Sequence, residues 1–160
     1  MDKIEKERRN MKIAIGFDHG GFPLKKDIMK IISRMGHEVL DMGAYENDPD
    51  DDFPDFAAPV AKAVQDNTAK KGIIVCGSGV GANIVANKFK GVRAGLCHDT
   101  YSAAQGVKHD DMNVLCLGAR VVGAALAEEL VIAFIEAKLE SNEDRFIRRL
   151  DKVKKIENNE

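Results

Sequence analysis

The chain has 160 residues, a formal net charge of -2, and 44% hydrophobic against 31% charged residues, the balance of an ordinary globular protein. Near-neutral charge and sparse aromatics (6%) argue against a nucleic-acid surface, and no apolar run approaches the roughly 20 residues a membrane helix needs. The opening "MDKIEKERRN" lacks the apolar segment of a secretory signal, so the expected location is the cytoplasm.

Residues 1–10 read as a disordered extension, and residues 11–160 as one domain. "KIAIGF" (12–17) is a β-branched run and predicts a strand. "PLKKDIMKIISRMG" places Leu24, Ile28, Ile31, Ile32 and Met35 at helical spacing, with Gly36 as the stop. "HEVLDMG" predicts a second strand, and the acid-rich "AYENDPDDDFPD" a turn region. "FAAPVAKAVQD" reads as a helix whose weak point is Pro59. "GIIVCG" predicts the third strand, "GVGANIVANKF" a helix, "GVRAGLC" the fourth strand, "TYSAAQGVKH" a short helix and "MNVLCLG" the fifth strand. "AALAEELVIAFIEAKL" and "EDRFIRRLDKVKKIE" close the chain as two helices. No internal repeat or linker interrupts this alternation, which implies βαβ units and an α/β fold on a parallel sheet.

In such sheets, ligands bind beyond the carboxyl ends of the strands. There the first strand runs into "FDHGG", the third into "CGSGVG", the fourth into "CHD" and the fifth into "LGAR". The three cysteines, Cys76, Cys97 and Cys116, are too few and too odd in number for a disulfide framework. The four histidines (His19, His37, His98, His109) show no zinc spacing. Cys97 and Cys116 lie inside apolar runs and read as buried small hydrophobes. Cys76 differs, because Gly77-Ser78-Gly79-Val80-Gly81 follows it.

This loop is one residue short of a dinucleotide fingerprint and follows the wrong strand for one. A cysteine-phosphatase loop would place arginine where Ala82 stands, so that reading fails. What remains open is a tight turn beside a buried cysteine, or an anion-stabilising loop in which backbone N–H groups and a helix N-terminus favour the thiolate.

Taken together, "MKIAIGFDHGGFPLKK", "DFPDFA", "VCGSGVGANIVANKFKGVRAGLC" and "HDDMNVLCLGARVVG" resemble the sugar-phosphate isomerase family. That family includes ribose-5-phosphate isomerase type B and the galactose-6-phosphate isomerase subunits. The resemblance runs from Met11 to about Lys155. It implies a three-layer, Rossmann-like (flavodoxin-like) sheet of five parallel strands with helices on both faces and a C-terminal helix extension. It also implies a homodimer or tetramer with active sites shared between subunits, and aldose–ketose isomerisation of a sugar phosphate without cofactor or metal.

By the same resemblance, Cys76 is the carbon base of an enediolate mechanism. Some members use a glutamate near the position of Ala82 instead. The amides of Gly77, Ser78, Gly79, Val80 and Gly81 form the anion hole, with the Ser78 hydroxyl beside it. His109 opens the sugar ring and Asp18 assists. His19, Arg120, Arg145 and Arg149 bind phosphate, and Tyr45 lines the sugar site. Asp110 stands where the family often has asparagine, removing donors and adding charge. "NEDRF" replaces the usual "GGRH", so Arg148 competes with Arg149 for the phosphate. The expected reaction interconverts D-ribose 5-phosphate and D-ribulose 5-phosphate. Allose, galactose or tetrose phosphates, or a non-catalytic phosphosugar-binding module, are the alternatives.

Overall fold

The computed structural model describes residues 10–159, so the extension expected over residues 1–10 falls, apart from Asn10, outside the described residues. Five strands, β1 (Lys12–Phe17), β2 (Glu38–Asp41), β3 (Lys71–Cys76), β4 (Ala94–Leu96) and β5 (Val114–Gly118), form one sheet in the order β2-β1-β3-β5-β4. Every pairing is parallel. The helices are α1 (Lys25–Arg34), α2 (Pro54–Gln65), α3 (Val80–Ala86), α4 (Thr100–Asp110), α5 (Ala124–Glu136) and α6 (Asp144–Glu157). No helix among the described residues is long and apolar enough to cross a membrane.

The inner strands β1, β3 and β5 read as near-continuous apolar runs because both faces of the sheet are covered there. On one face Ile13, Ile15, Phe17, Ile73, Val75, Leu115 and Leu117 pack against Ile28 and Ile32 of α1, Ala103 and Val107 of α4, and Leu130 and Phe134 of α5. On the other, Ala14, Ile74, Cys76, Val114 and Cys116 meet Ala57, Val60, Ala61 and Val64 of α2 and Ala82 and Ala86 of α3. This second face is built from small residues. At Gly16 a Cβ would lie 2.5 Å from the Phe56 carbonyl oxygen, so α2 rests almost directly on the β1 backbone.

The helix expected through Pro59 forms without a break. The missing proline N–H removes one ladder bond, and burial of the neighbouring Ala57, Val60 and Ala61 outweighs it. The fourth strand is shorter than expected. The Arg93 N–H donates to the Asn113 side chain at 2.8 Å, so the ladder starts only at Ala94. Cys97 and Cys116 are free and buried, and burial raises both thiols above the usual cysteine range. They behave as small hydrophobes, as their apolar surroundings imply.

Parallel strands need return helices, which divides the connections between two edges. Segments 18–24, 42–53, 77–79, 97–99 and 119–123 lie at the carboxyl edge. Segments 35–37, 66–70, 87–93 and 111–113 lie at the amino edge. The edges are held differently. At the amino edge the Lys71 ammonium donates to the α5 carboxyl-terminal carbonyls of Phe134 (2.5 Å) and Ala137 (3.2 Å). Burial lowers its pKa to about 8.

Candidate active site

The strand order changes direction between β1 and β3, and a crevice opens at that point. A pocket of about 360 Å³ lies there, lined by Asp18, His19, Gly20, Phe53, Cys76, Gly77, Ser78, Gly81, Arg120 and Val121. Four strand ends deliver these residues, Phe53 coming from the segment after β2. Asp18 and His19 follow β1, and the Asp18 N–H donates to the Val75 carbonyl at 3.3 Å. Cys76 is the last residue of β3, paired in register with Gly118 of β5. Beyond β5, the N–H groups of Ala119 and Arg120 donate to the carbonyls of Cys76 (2.9 Å) and Gly77 (3.0 Å). Those bonds set the Arg120 guanidinium against Gly77, where a Cβ would stand 3.5 Å from its Cζ.

Cys76 is 6% exposed, and its Sγ accepts a hydrogen bond from the Gly79 N–H at 3.0 Å. The Val80 N–H donates to Ser78 Oγ at 3.2 Å. In this arrangement two of the five loop amides expected in the anion hole turn to the loop's own atoms. Gly79 makes this possible with φ +80°, a left-handed conformation that closes the turn back on Cys76. A Cβ there would also lie 2.5 Å from Leu96 Cδ1 and 2.8 Å from the Leu117 carbonyl carbon. Gly79→Ala is therefore expected to lower stability by about 2–5 kcal/mol, combining left-handed strain with overpacking. A urea denaturation midpoint unchanged from wild type would contradict this.

Asp18 is 7% exposed, and its Oδ1 accepts from the Gly21 N–H at 2.9 Å. It thus stabilises its turn while also lining the pocket. His19 is fastened to Asp51, whose Oδ1 accepts from the His19 backbone N–H at 3.0 Å and lies 2.6 Å from Nδ1. This carboxylate hydrogen bond is the main cause raising the His19 pKa. Burial opposes it, Asp18 adds to it, and Arg120 counters it. Asp18, His19 and Asp51 are, among the described residues, the one group with three possible metal-ligating atoms within 4.8 Å of one another. The short His19–Asp51 contact is a hydrogen bond and leaves no gap between those two atoms for an ion.

The other expected residues do not reach this pocket within one chain. His109 lies in the last turn of α4, five positions before β5 begins, which places it at the amino edge. Cys76 is level with Gly118 at the far end of that strand, and five strand residues span roughly 16 Å. Around His109, Gln105 Nε2 approaches Nδ1 at 2.9 Å, and the Phe146 ring stacks at 3.9 Å. The Arg145 guanidinium lies 4.8 Å from the Phe146 ring centre. Asp110, Arg148 and Arg149 are exposed on the same pair of helices, α4 and α6. The chain thus carries two separate groups of candidate residues. Tyr45 sits at the carboxyl edge, 78% exposed, with its hydroxyl donating to the Asp41 carbonyl at 3.0 Å. It does not line the pocket.

Phe53 and Asp51 belong to the neighbourhood of the site, and the sequence treated both as turn. The spacing of "DPDDDF" offers no periodicity to single out one acid. A larger cavity of about 930 Å³ opens at the amino edge among Met11, Val64, Lys71, Arg93, Val107 and Ile135. Its buried cation, Lys71, is already occupied by helix carbonyls.

Comparison with known proteins adds the following. A family profile described as Ribose/Galactose Isomerase matches residues 13–153. Ribose-5-phosphate isomerase B of Escherichia coli is 42% identical over 91% of this chain and 96% of its own length. D-erythrulose-4-phosphate isomerase of Pectobacterium atrosepticum is 41% identical over 81% of this chain and 86% of its own. The structure of Clostridium thermocellum ribose-5-phosphate isomerase B superposes with a TM-score of 0.88 at 41% identity. That match covers 93% of this chain and 99% of the other.

Proposed function

Because this chain belongs to the ribose/galactose isomerase family, and is a sugar-phosphate isomerase and hence an intramolecular oxidoreductase, we propose that it interconverts D-ribose 5-phosphate and D-ribulose 5-phosphate with Cys76 as the carbon base. The observation that carries the reading is the position of Cys76. Its sulfur sits at the carboxyl end of β3, at the strand-order reversal, in a pocket with Asp18, His19 and Arg120.

The chemistry follows from the donors present. The Cys76 thiolate takes the C2 proton of the open-chain aldose and returns it to C1, while a hydroxyl proton passes from O2 to O1, so nothing is oxidised or reduced overall. The sulfur's charge is supported by the Gly79 N–H. As the sulfur becomes neutral and charge moves onto the enediolate, the amides of Gly77, Ser78 and Gly81 and the Ser78 hydroxyl supply donors to the oxyanion, while those of Gly79 and Val80 hold the loop itself. Asp18 assists proton movement at the sugar oxygens. His19 and Arg120 bind phosphate from the Cys76 side, Arg120 with the fork geometry suited to it.

The second group of residues enters this scheme through a second copy of the chain. A homodimer that sets α4 and α6 of one copy against the carboxyl edge of the other would bring His109 to open the furanose ring. It would also bring Asp110 to the sugar hydroxyls and Arg145 and Arg149 to the phosphate, with Tyr45 lining the sugar site from the carboxyl edge itself. Exposed Phe53, Val80, Ile84 and Val121 around the pocket give such a copy apolar surface to cover. No cofactor takes part in this scheme.

The test is turnover of purified protein on ribose, allose, galactose and erythrose phosphates without added metal. The expected result is a kcat/KM for ribose 5-phosphate at least about tenfold above the others. A four-carbon substrate preferred instead, as the Pectobacterium relative's name would suggest, would overturn the pentose assignment and make Asp110 the first residue to exchange. Binding without turnover of any sugar would overturn the mechanism.

A further inference from the structure

We propose that Asp51 is a positioning residue for phosphate recognition: it holds the His19 imidazole by Nδ1, so that the ring offers Nε2–H and a positive charge to the substrate's phosphoryl group. This rests on the reading of His19 as a phosphate ligand. The acidic loop contains Asp48, Asp50, Asp51 and Asp52, of which Asp48, Asp50 and Asp52 are exposed. The Asp51 side chain alone turns inward and is 8% exposed. Its Oδ1 accepts both His19 hydrogen bonds, and the 2.6 Å contact to Nδ1 is at the short, charge-assisted end of the range. Its Oδ2 is buried and has no hydrogen-bond partner.

A buried carboxylate with half its acceptors unmet is costly unless a cation stands beside it. The protonated His19 ring is the cation in hydrogen-bond contact. Four groups face that ring from the surrounding elements. Asp18 comes from the β1 end, Asp51 from the acidic loop, Cys76 from the β3 end and Arg120 from the loop after β5. The two carboxylates hold the His19 pKa above the ordinary histidine value, against the desolvation and Arg120 that lower it. The protonated fraction near neutrality is therefore larger than for a free histidine. An imidazolium gives a phosphate dianion a charge-assisted bond, and a neutral ring gives only an ordinary one.

A plain structural tie between the two loops is the competing account, and Asp51→Asn separates the two. Asparagine keeps the Oδ1 acceptor and the tie, and removes the charge. Full-length wild type and D51N are compared by NMR of the imidazole carbons, the His19 signal being assigned with His19→Gln. KM and kcat for ribose 5-phosphate are measured from pH 6 to 8.5. The expected wild-type His19 midpoint lies above the ordinary value and falls in D51N. The ratio of variant to wild-type KM is smallest at the acid end of this range, where the protonation of the two rings differs least, and grows to about fivefold toward the alkaline end. The effect falls on KM rather than kcat. Ionisation of the sugar phosphate itself is common to both proteins and cancels in the ratio.

A flat KM ratio overturns the proposal in favour of the tie. A wild-type midpoint at or below the ordinary histidine value also overturns it, whether or not D51N folds. If wild type turns over no aldose phosphate, the functional reading fails, and inorganic phosphate becomes the probe. The proposal then requires that phosphate shift the wild-type His19 signal and bind about fivefold more weakly to D51N at pH 8. No shift overturns it.

Discussion

Replacing Cys76 by alanine is expected to reduce kcat by about 1,000-fold, the scale of losing a positioned base, with sugar-phosphate binding retained. Three structural facts make the effect specific. The side chain is 6% exposed, so water does not freely replace the sulfur. The absence of a carboxylate at Ala82 leaves no second base on the glycine loop. Cys76 is also level with Gly118 in the sheet, so the truncation sits on a rigid strand and does not disturb the pocket walls. The loss of one sulfur from a face of small residues should cost about 1 kcal/mol of stability. Calorimetry with ribose 5-phosphate and single-turnover kinetics separate binding from chemistry. A variant keeping a tenth of wild-type kcat would move the base to another residue.

The second large effect concerns the two groups of residues at opposite edges of the sheet. His109→Ala and Cys76→Ala should each be nearly inactive alone. If each working site takes Cys76 from one copy and His109 from another, a dimer of one C76A and one H109A chain holds one doubly altered site and one intact site. Random mixing after dissociation and reassembly makes half the dimers mixed, so activity should recover to about a quarter of wild type, as expected for an isologous pair. A site complete within one chain cannot recover at all. Mixing inactive chains and reading turnover against time therefore decides the matter, and sedimentation of the same samples reports whether subunits exchanged.

Much of the fold could be read from the chain because the inner strands β1, β3 and β5 are apolar on both faces and each turn is punctuated. "KIAIGF" became β1 without a shifted residue, and "GIIVCG" became β3 within one. Pro59 reads locally as a break, yet packing of α2 on the sheet overrides it. The glycine turns at one edge were legible because glycines cluster after strand ends. Long-range geometry was harder. That His109 precedes the fifth strand places it at the amino edge once the return helix is considered, since a helix between parallel strands must run back along the sheet. The pairing of Asp51 with His19 spans 32 positions. Nothing local distinguishes Asp51 from Asp50 or Asp52, because the choice is made by which carboxylate the tertiary structure turns inward. Tyr45, Arg148 and Arg149 are exposed, so no packing within the chain selects among them.

The unequal faces of the sheet set unequal freedom for change. On the side of α1 and α5, large aliphatic chains can exchange shapes and repack around one another. On the side of α2 and α3, alanines and glycines set among valines leave less to trim and little room to enlarge: a single methyl at residue 16 meets a backbone carbonyl. Ile74 and Cys76 rest on that second side. The sulfur's height above the sheet is therefore gauged by backbone-to-backbone contact rather than by side-chain fit. On the proposed reading, loops at the rim can be rewritten for a longer or shorter sugar while the sulfur keeps its place.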